Sequence, residues 1–285
     1  SAASDVYKRQ KQASAARDRH FVYYDDLSEM MWNVFRSADV LPMINRVNDE
    51  VDNFRAALEW GLENHVEETV RLAANFCVIS SMLGIIAEGL TFAESAVERA
   101  KALPPVDGDV DIRRQKLIAR ALLAQGMVGS GVGNIRPATL ALKEAIAISR
   151  ATDDKQILGY SLEMYFTVTS FIKTSDREED VREGLEIFSH EISDRFGLGM
   201  AYVNMARLAA EKGDEGEKQK YFAKLNEMIS EMPKSFQVGL FFLGMGMDES
   251  GRRNYAAAKK IFEDGLAIFK GIRNLNFQLV MKSEL

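Results

Sequence analysis

Cysteine is almost missing from this chain: Cys77 is the only one among 285 residues, so no internal disulfide can form. It stands among Phe76, Val78 and Ile79. With no cationic neighbour in sequence to lower its pKa, it reads as a small inert core residue rather than a reactive thiol. Proline is scarce too. All five, at 42, 104, 105, 137 and 233, fall at apparent helix ends. Three histidines, His20, His65 and His190, are too widely spaced to suggest a metal site. No apolar run approaches the roughly 20 residues needed to cross a bilayer. The most apolar stretch, Leu72 to Leu90, is broken by Asn75, Ser80, Ser81, Gly84 and Glu88. The net charge of −6 comes without a basic stripe and argues against direct nucleic-acid binding. No Asn-Gly or Asp-Gly turn separates alternating apolar runs, so strand signals are missing as well.

Chemical motifs fare no better. Gly129 to Asn134, "GSGVGN", lacks the strand and spacing of a dinucleotide loop and the Gly-Lys-Ser/Thr of a phosphate loop. It reads as a helix–helix turn. Asp107 to Asp111, "DGDVD", resembles the start of a calcium loop, but Ile112 and Ile118 occupy the positions that need Gly and a bidentate Glu. It reads as a solvated linker with helix-capping acids. "DREEDVRE", Asp176 to Glu183, reads as a solvated helix start whose acids suit the N-terminal dipole. No Ser, Cys or Thr nucleophile has a recognisable catalytic context. The expectation is a protein that is not an enzyme, with no catalytic, cofactor-binding or metal residues.

What the sequence does contain is helical periodicity. Apolar spacing predicts helices near 14–37, 43–63, 66–82, 86–102, 111–130, 135–151, 155–172, 177–192, 195–212, 215–231, 235–250, 255–271 and 274–283. Shifting the chain by 40 residues keeps four columns apolar: Ile118/Leu158/Leu198/Val238, Leu122/Leu162/Tyr202/Phe242, Ala141/Val181/Tyr221/Ile261 and Ile148/Phe188/Met228/Ile268. About two would arise by chance at this apolar content. The first pair is spaced i, i+4 and the second i, i+7, as helix faces require. A fifth column, Ala119/Gly159/Gly199/Gly239, is small throughout. The prediction is an all-α, right-handed superhelix of antiparallel helix pairs, about 40 residues per unit, each burying its apolar face on the next.

The segment Leu122 to Asp154 resembles a tetratricopeptide-type repeat. Gly126 and Ala138 stand at the small positions, and Gly133-Asn134-Ile135 and Arg253-Asn254-Tyr255 match the joining turn. Further forward, "DNFRAALEW" (Asp52 to Trp60), with Arg19-His20, Glu50, Gly84, Glu88-Gly89 and Glu98-Arg99-Ala100, resembles a segment of the large bacterial STAND-class signalling ATPases. That class includes LuxR-type transcriptional regulators and cyclase-linked ATPases. In them this segment follows the nucleotide-binding and winged-helix domains and opens a helical-repeat sensor arm. Met82-Leu83 departs from the more aromatic, polar run common there.

The resemblance implies a cytoplasmic, non-catalytic recognition scaffold, the sensor arm of an ATP-dependent regulator. The alternative is a free-standing tetratricopeptide adaptor for a protein partner. Residues 1–10 read as the in-frame translation of a sequencing adaptor. Residues 11–105 read as a helical segment following a missing ATPase region. Residues 106–285 read as repeats, with units near 115–154, 155–194, 195–234 and 235–274 and truncation at both ends. A protein or peptide partner, or a small-molecule effector, is expected in the concave groove, with no membrane or nucleic-acid contact. Tyr160, Met164, Tyr165, Met200, Asn204, Met205, Phe242 and Met245 are the candidate lining, since flexible Met and aromatic side chains suit such a surface. Phe166 belongs to the same stretch. The Asn and basic columns of a carboxylate clamp are absent, Asn204 standing alone.

Overall fold

The structure, a computed structural model, describes residues 2–35, 40–170, 177–271 and 275–285. The front helices are α1 (Ala2–Phe35), α2 (Val40–Asn64), α3 (Val66–Leu83) and α4 (Ile86–Lys101). Four pairs follow: α5 (Asp109–Gly131) with α6 (Ile135–Ala151), α7 (Lys155–Thr169) with α8 (Arg177–Glu186), α9 (Arg195–Glu211) with α10 (Glu215–Ser230), and α11 (Phe236–Gly251) with α12 (Tyr255–Gly271). Helix α8 runs on as a π-helical turn, Ile187–Glu191, and α13 (Leu275–Glu284) closes the series. No strand occurs among the described residues.

The repeat is written in the caps. The first helices of three successive units start after Asp154, Asp194 and Ser235, whose side chains accept from backbone N–H groups of the first turn. The second helices of three units start after Asn134, Asp214 and Asn254, each following a residue with positive φ: Gly133 at 81°, Gly213 at 77° and Arg253 at 64°. Two glycines and an arginine therefore perform the same left-handed turn, the arginine against its steric preference.

Packing follows from the small column. A Cβ on Gly159 would stand 2.8 Å from the Phe188 ring, one on Gly199 would stand 2.2 Å from Phe241, and one on Gly239 would stand 2.5 Å from Phe269. In these three units an aromatic ring from a neighbouring helix occupies the missing methyl's place. Gly126 and Gly246 receive Leu142 and Phe262 in the same manner.

The odd-numbered helices touch in unbroken succession from α1 to α11, while among even-numbered neighbours only α2 and α4 meet substantially. The odd layer therefore lies at the smaller radius and forms the inner face of an all-α helical-repeat superhelix of tetratricopeptide-like pairs. The curl is tight. Met82, at the end of α3, joins one apolar cluster with Phe236, Phe262 and Phe269 of α11 and α12.

The front helices are tied by the residues that gave the chain its resemblance. On α2, Val47, Phe54, Leu58 and Leu62 are buried on one face, and the polar residues of the other face reach across. Tyr24 donates to Glu50 at 2.7 Å, Arg55 bridges Asp52 and Glu88, Trp60 Nε1 donates to Asp18 at 2.9 Å, and Arg99 donates to the Leu62 carbonyl at 3.0 Å. Gly84 caps α3 at φ 78°. "DNFRAALEW" is thus a scaffold helix whose apolar face fills the core and whose polar face ties it to α1 and α4.

Candidate functional site

The inner face of α5, α7, α9 and α11 is built by register. Residues 40 apart fall on the same side, giving Arg120/Tyr160/Met200/Leu240, Ala124/Met164/Asn204/Gly244 and Met127/Thr167/Arg207/Met247. Contacts between adjacent odd helices fix this orientation. The Tyr160 hydroxyl donates to Asp194 at 2.7 Å, Thr167 donates to Asn204 at 3.1 Å, and Arg207 donates to Ser170 at 3.4 Å.

Of the eight residues expected to line a groove, Tyr160, Met164, Met200 and Asn204 fall in these columns, although the Tyr160 ring packs on Phe188 of the outer layer at 5.1 Å. Tyr160 and Asn204 are buried there, and Met164 and Met200 are half-buried. The other four lie in neighbouring registers. Tyr165 lies beneath the Lys143 ammonium of α6 at 5.7 Å, and Met205 clusters with Phe166, Val181 and Leu208. Phe242 presses on Gly265 of α12, and Met245 is buried in the register of Tyr165 and Met205. One residue along a helix is a turn of about 100°, enough to carry a side chain from the inner face into the space between layers. Phe166, fully buried, belongs to that interior as well.

Asn204 is held by its amide, which donates to the Glu163 carbonyl at 3.0 Å and to Glu163 Oε2 at 2.7 Å. Glu163 is fully buried. Burial pushes its carboxyl up to about 8, against the opposing pull of the Asn204 hydrogen bond, so it is mostly protonated at neutral pH. Its Oε1 has no hydrogen-bond partner among the described residues and sits where Gly184 leaves room, 2.3 Å from the place a Cβ would take.

Sequence reasoning missed the column Met127/Thr167/Arg207/Met247. Its mixed polarity broke the apolar rule by which columns were sought, although the 40-residue shift displays it. It also misjudged the start of α8. Arg177 is only 4% exposed, its guanidinium lying over the Phe166 ring at 4.5 Å and donating to Glu211 at 3.1 Å. A stacked, paired arginine at this position docks the helix, so this end is not simply solvated; Asp176 lies outside the described residues.

Other motifs take plain roles. "GSGVGN" spans the last turn of α5 and the link to α6, and Asp109 and Asp111 lie in the first turn of α5. Cys77 is fully buried, and burial pushes its thiol up to about 12. His65 pairs with Asp18 at 2.8 Å, His20 packs on Tyr24, and His190 is exposed beside Glu186. Among the described residues no cluster of metal-binding side chains forms, and no helix is long and apolar enough to cross a membrane.

No family model matches the chain. Three candidate HTH-type transcriptional regulators, one from Mycobacterium bovis and two from strains of Mycobacterium tuberculosis, are each 29% identical over 148 residues. The alignment takes in 50% of this chain and 16% of each relative. The chain thus spans about a sixth of the length of the curated relatives it matches. Among solved structures, a Signal Transduction ATPase with Numerous Domains (STAND) protein with a tetratricopeptide repeat sensor, from Pyrococcus horikoshii, aligns with a TM-score of 0.44 at 16% identity. It covers 85% of this chain and 41% of that one.

Proposed function

We propose that this chain is the recognition arm of a larger cytoplasmic ATP-dependent signalling or transcriptional regulator, with no catalysis of its own. The observation that carries the reading is the tie between resemblance and packing at the front. Glu50, Asp52, Arg55, Trp60, Glu88 and Arg99, among the residues by which the sequence resembles the STAND sensor arms, make the polar ties that hold α2 to α1 and α4. The similarity to HTH-type regulators over half the chain supports the same reading.

On this reading residues 11–105 adjoin the nucleotide-binding region, and the repeats from 106 onward offer the inner face to an effector. Binding acts by population shift. An effector held between odd helices favours one curvature of the array, and the regulator responds only by as much as the effector prefers that curvature. The partner is a protein, a peptide or a small molecule, and DNA contact is left to another region of the regulator.

The test is to read the genomic DNA upstream in the same frame. A nucleotide-binding domain followed by a winged helix is expected. A stop codon directly before the helical array, or an unrelated domain, overturns the proposal and leaves a free-standing adaptor, for which affinity capture of one stoichiometric protein partner is the corresponding result.

A further inference from the structure

The buried apolar residues of α3 from Val70 to Ile79 belong to the main core that runs through the stacked pairs. Met82, near the end of the same helix and 7% exposed, does not join them. It clusters with Phe236, Phe262, Leu266 and Phe269 of α11 and α12 and with Met281 of α13, and Val34 from the end of α1 packs against the same group. Helices α4 to α10 intervene in sequence. The rear side of this contact is a nest of rings: Phe236 stands edge-on to Phe269 at 5.8 Å and to Phe277 at 4.8 Å.

This seam differs in kind from the stacking beside it. Consecutive odd helices pack along their length, whereas among the described residues no broad packing joins α1 to α4 with α11 to α13. The front contributes Val34 and Met82 from the last turns of their helices. Leu83 and Gly84 follow at once, and Gly84 at φ 78° ends α3, so no further turn widens the contact. The side chain at its centre suits a contact that is made and broken. An unbranched thioether packs favourably on aromatic rings and adapts as the surfaces shift.

We propose that this seam is a latch on the superhelix. Seated, it holds the front and rear of the array at one closed curvature. Released, it lets the helix pairs splay by a small change at each junction from α4 to α10, with every pair still stacked on the next. The weight of the latch follows from its size. Removing one Met side chain from water favours the closed form by about tenfold to a hundredfold. That lies within the range of coupling one bound ligand exerts, whereas unstacking a whole helix pair would not. The latch is a property of the array and stands whether the chain is a sensor arm or a free-standing adaptor, so upstream sequence does not bear on it.

The experiment is single-molecule fluorescence energy transfer in the whole chain, labelled through Ala87→Cys of α4 and Ala267→Cys of α12. Both positions are exposed, and Cys77 is buried and stays unlabelled. Two populations are expected, with the high-transfer one dominant. Met82→Asp brings a charge into the seam and should shift the ratio toward low transfer by about a hundredfold or more, and Met82→Ala by about tenfold. Cooling towards about 5 °C should shift it the same way, because apolar contacts weaken in the cold. Helix content by circular dichroism should stay level throughout. If Met82→Asp does not fold, Met82→Ala and cooling decide. Transfer that stays unchanged in the folded variants, or a lowered melting midpoint with no shift in transfer, overturns the proposal and makes Met82 an ordinary core residue.

Discussion

The front and rear of this array stack helices in the same order but lean on polar ties and glycine approaches in different proportion. Between α1, α3 and α5 the ties are directional and polar. Asp25 is buried against Arg71 in a two-pronged pair, and Asn75 donates to Ser28 at 3.0 Å. Arg120, stacked over Trp32 at 4.4 Å, pairs with Glu29 at 2.8 Å. Burial pushes the Asp25 carboxyl above its usual range; burial pushes Glu29 up too, but Arg120, Asn75 and Arg71 together hold it below. From α7 to α12 glycine-to-ring approaches recur at Gly159, Gly199, Gly239 and Gly246, beside polar ties such as Tyr160 to Asp194 and Asn204 to Glu163. Polar pairs fill the inner face at the front. At the rear, with spacing set by glycine, that face carries Met, Thr and Arg side chains. Helix stacking alone therefore does not make a groove; what fills the inner positions decides it.

The sharpest way to separate the two halves is pH, because the rear contains a buried acid with no cationic partner among the described residues. Glu163 binds its proton more tightly folded, at about 8, than unfolded, at 4.5. Its stabilising contribution is complete below 4.5 and is lost as pH rises to about 8, at about 1.4 kcal/mol per pH unit within that interval. E163Q should flatten that slope in urea unfolding followed from pH 5 to 9; an unchanged slope would place the proton elsewhere. Next in size is Gly199→Val, whose added carbons meet Phe241 and should cost about 3 kcal/mol, read as a lower unfolding midpoint. At the front, Asp25→Ala strands Arg71, whose side chain is 35% exposed. The loss should be about 2 kcal/mol, discounted for that exposure, and should shrink in about 1 M salt, whereas the Gly199→Val loss should not. The smallest effect is a gain: Arg253→Gly relieves a left-handed turn that Gly133 and Gly213 make freely, and should add about 0.5 kcal/mol, visible as a small rise in melting temperature.

Much of the architecture was readable in advance. Twelve helices stand near their expected positions because apolar spacing and caps are local signals, whereas α1 begins at Ala2, twelve residues before its expected start. The small column was legible for the same reason, since glycine at fixed period has few causes other than close approach. The candidate lining divides between two registers. Tyr160, Met164, Met200 and Asn204 share a face, whereas Tyr165, Met205, Phe242 and Met245 turn away from it, because residue type alone does not give the rotation of a helix against its neighbours. Arg207 was invisible as a member of that face until Ser170 and Asp248 stood beside it.

By itself, then, the chain determined that it folds as helices, that they pair, and that the pairs recur every 40 residues, since these follow from periodicity, caps and turns within a few residues of one another. Only the tertiary structure decided which layer faces inward and that Glu163 is buried with no cationic partner among the described residues. Those outcomes depend on contacts between residues some 30 to 45 positions apart, among them Arg177 with Glu211 and Arg207 with Arg252, and on how far each helix is turned when it docks.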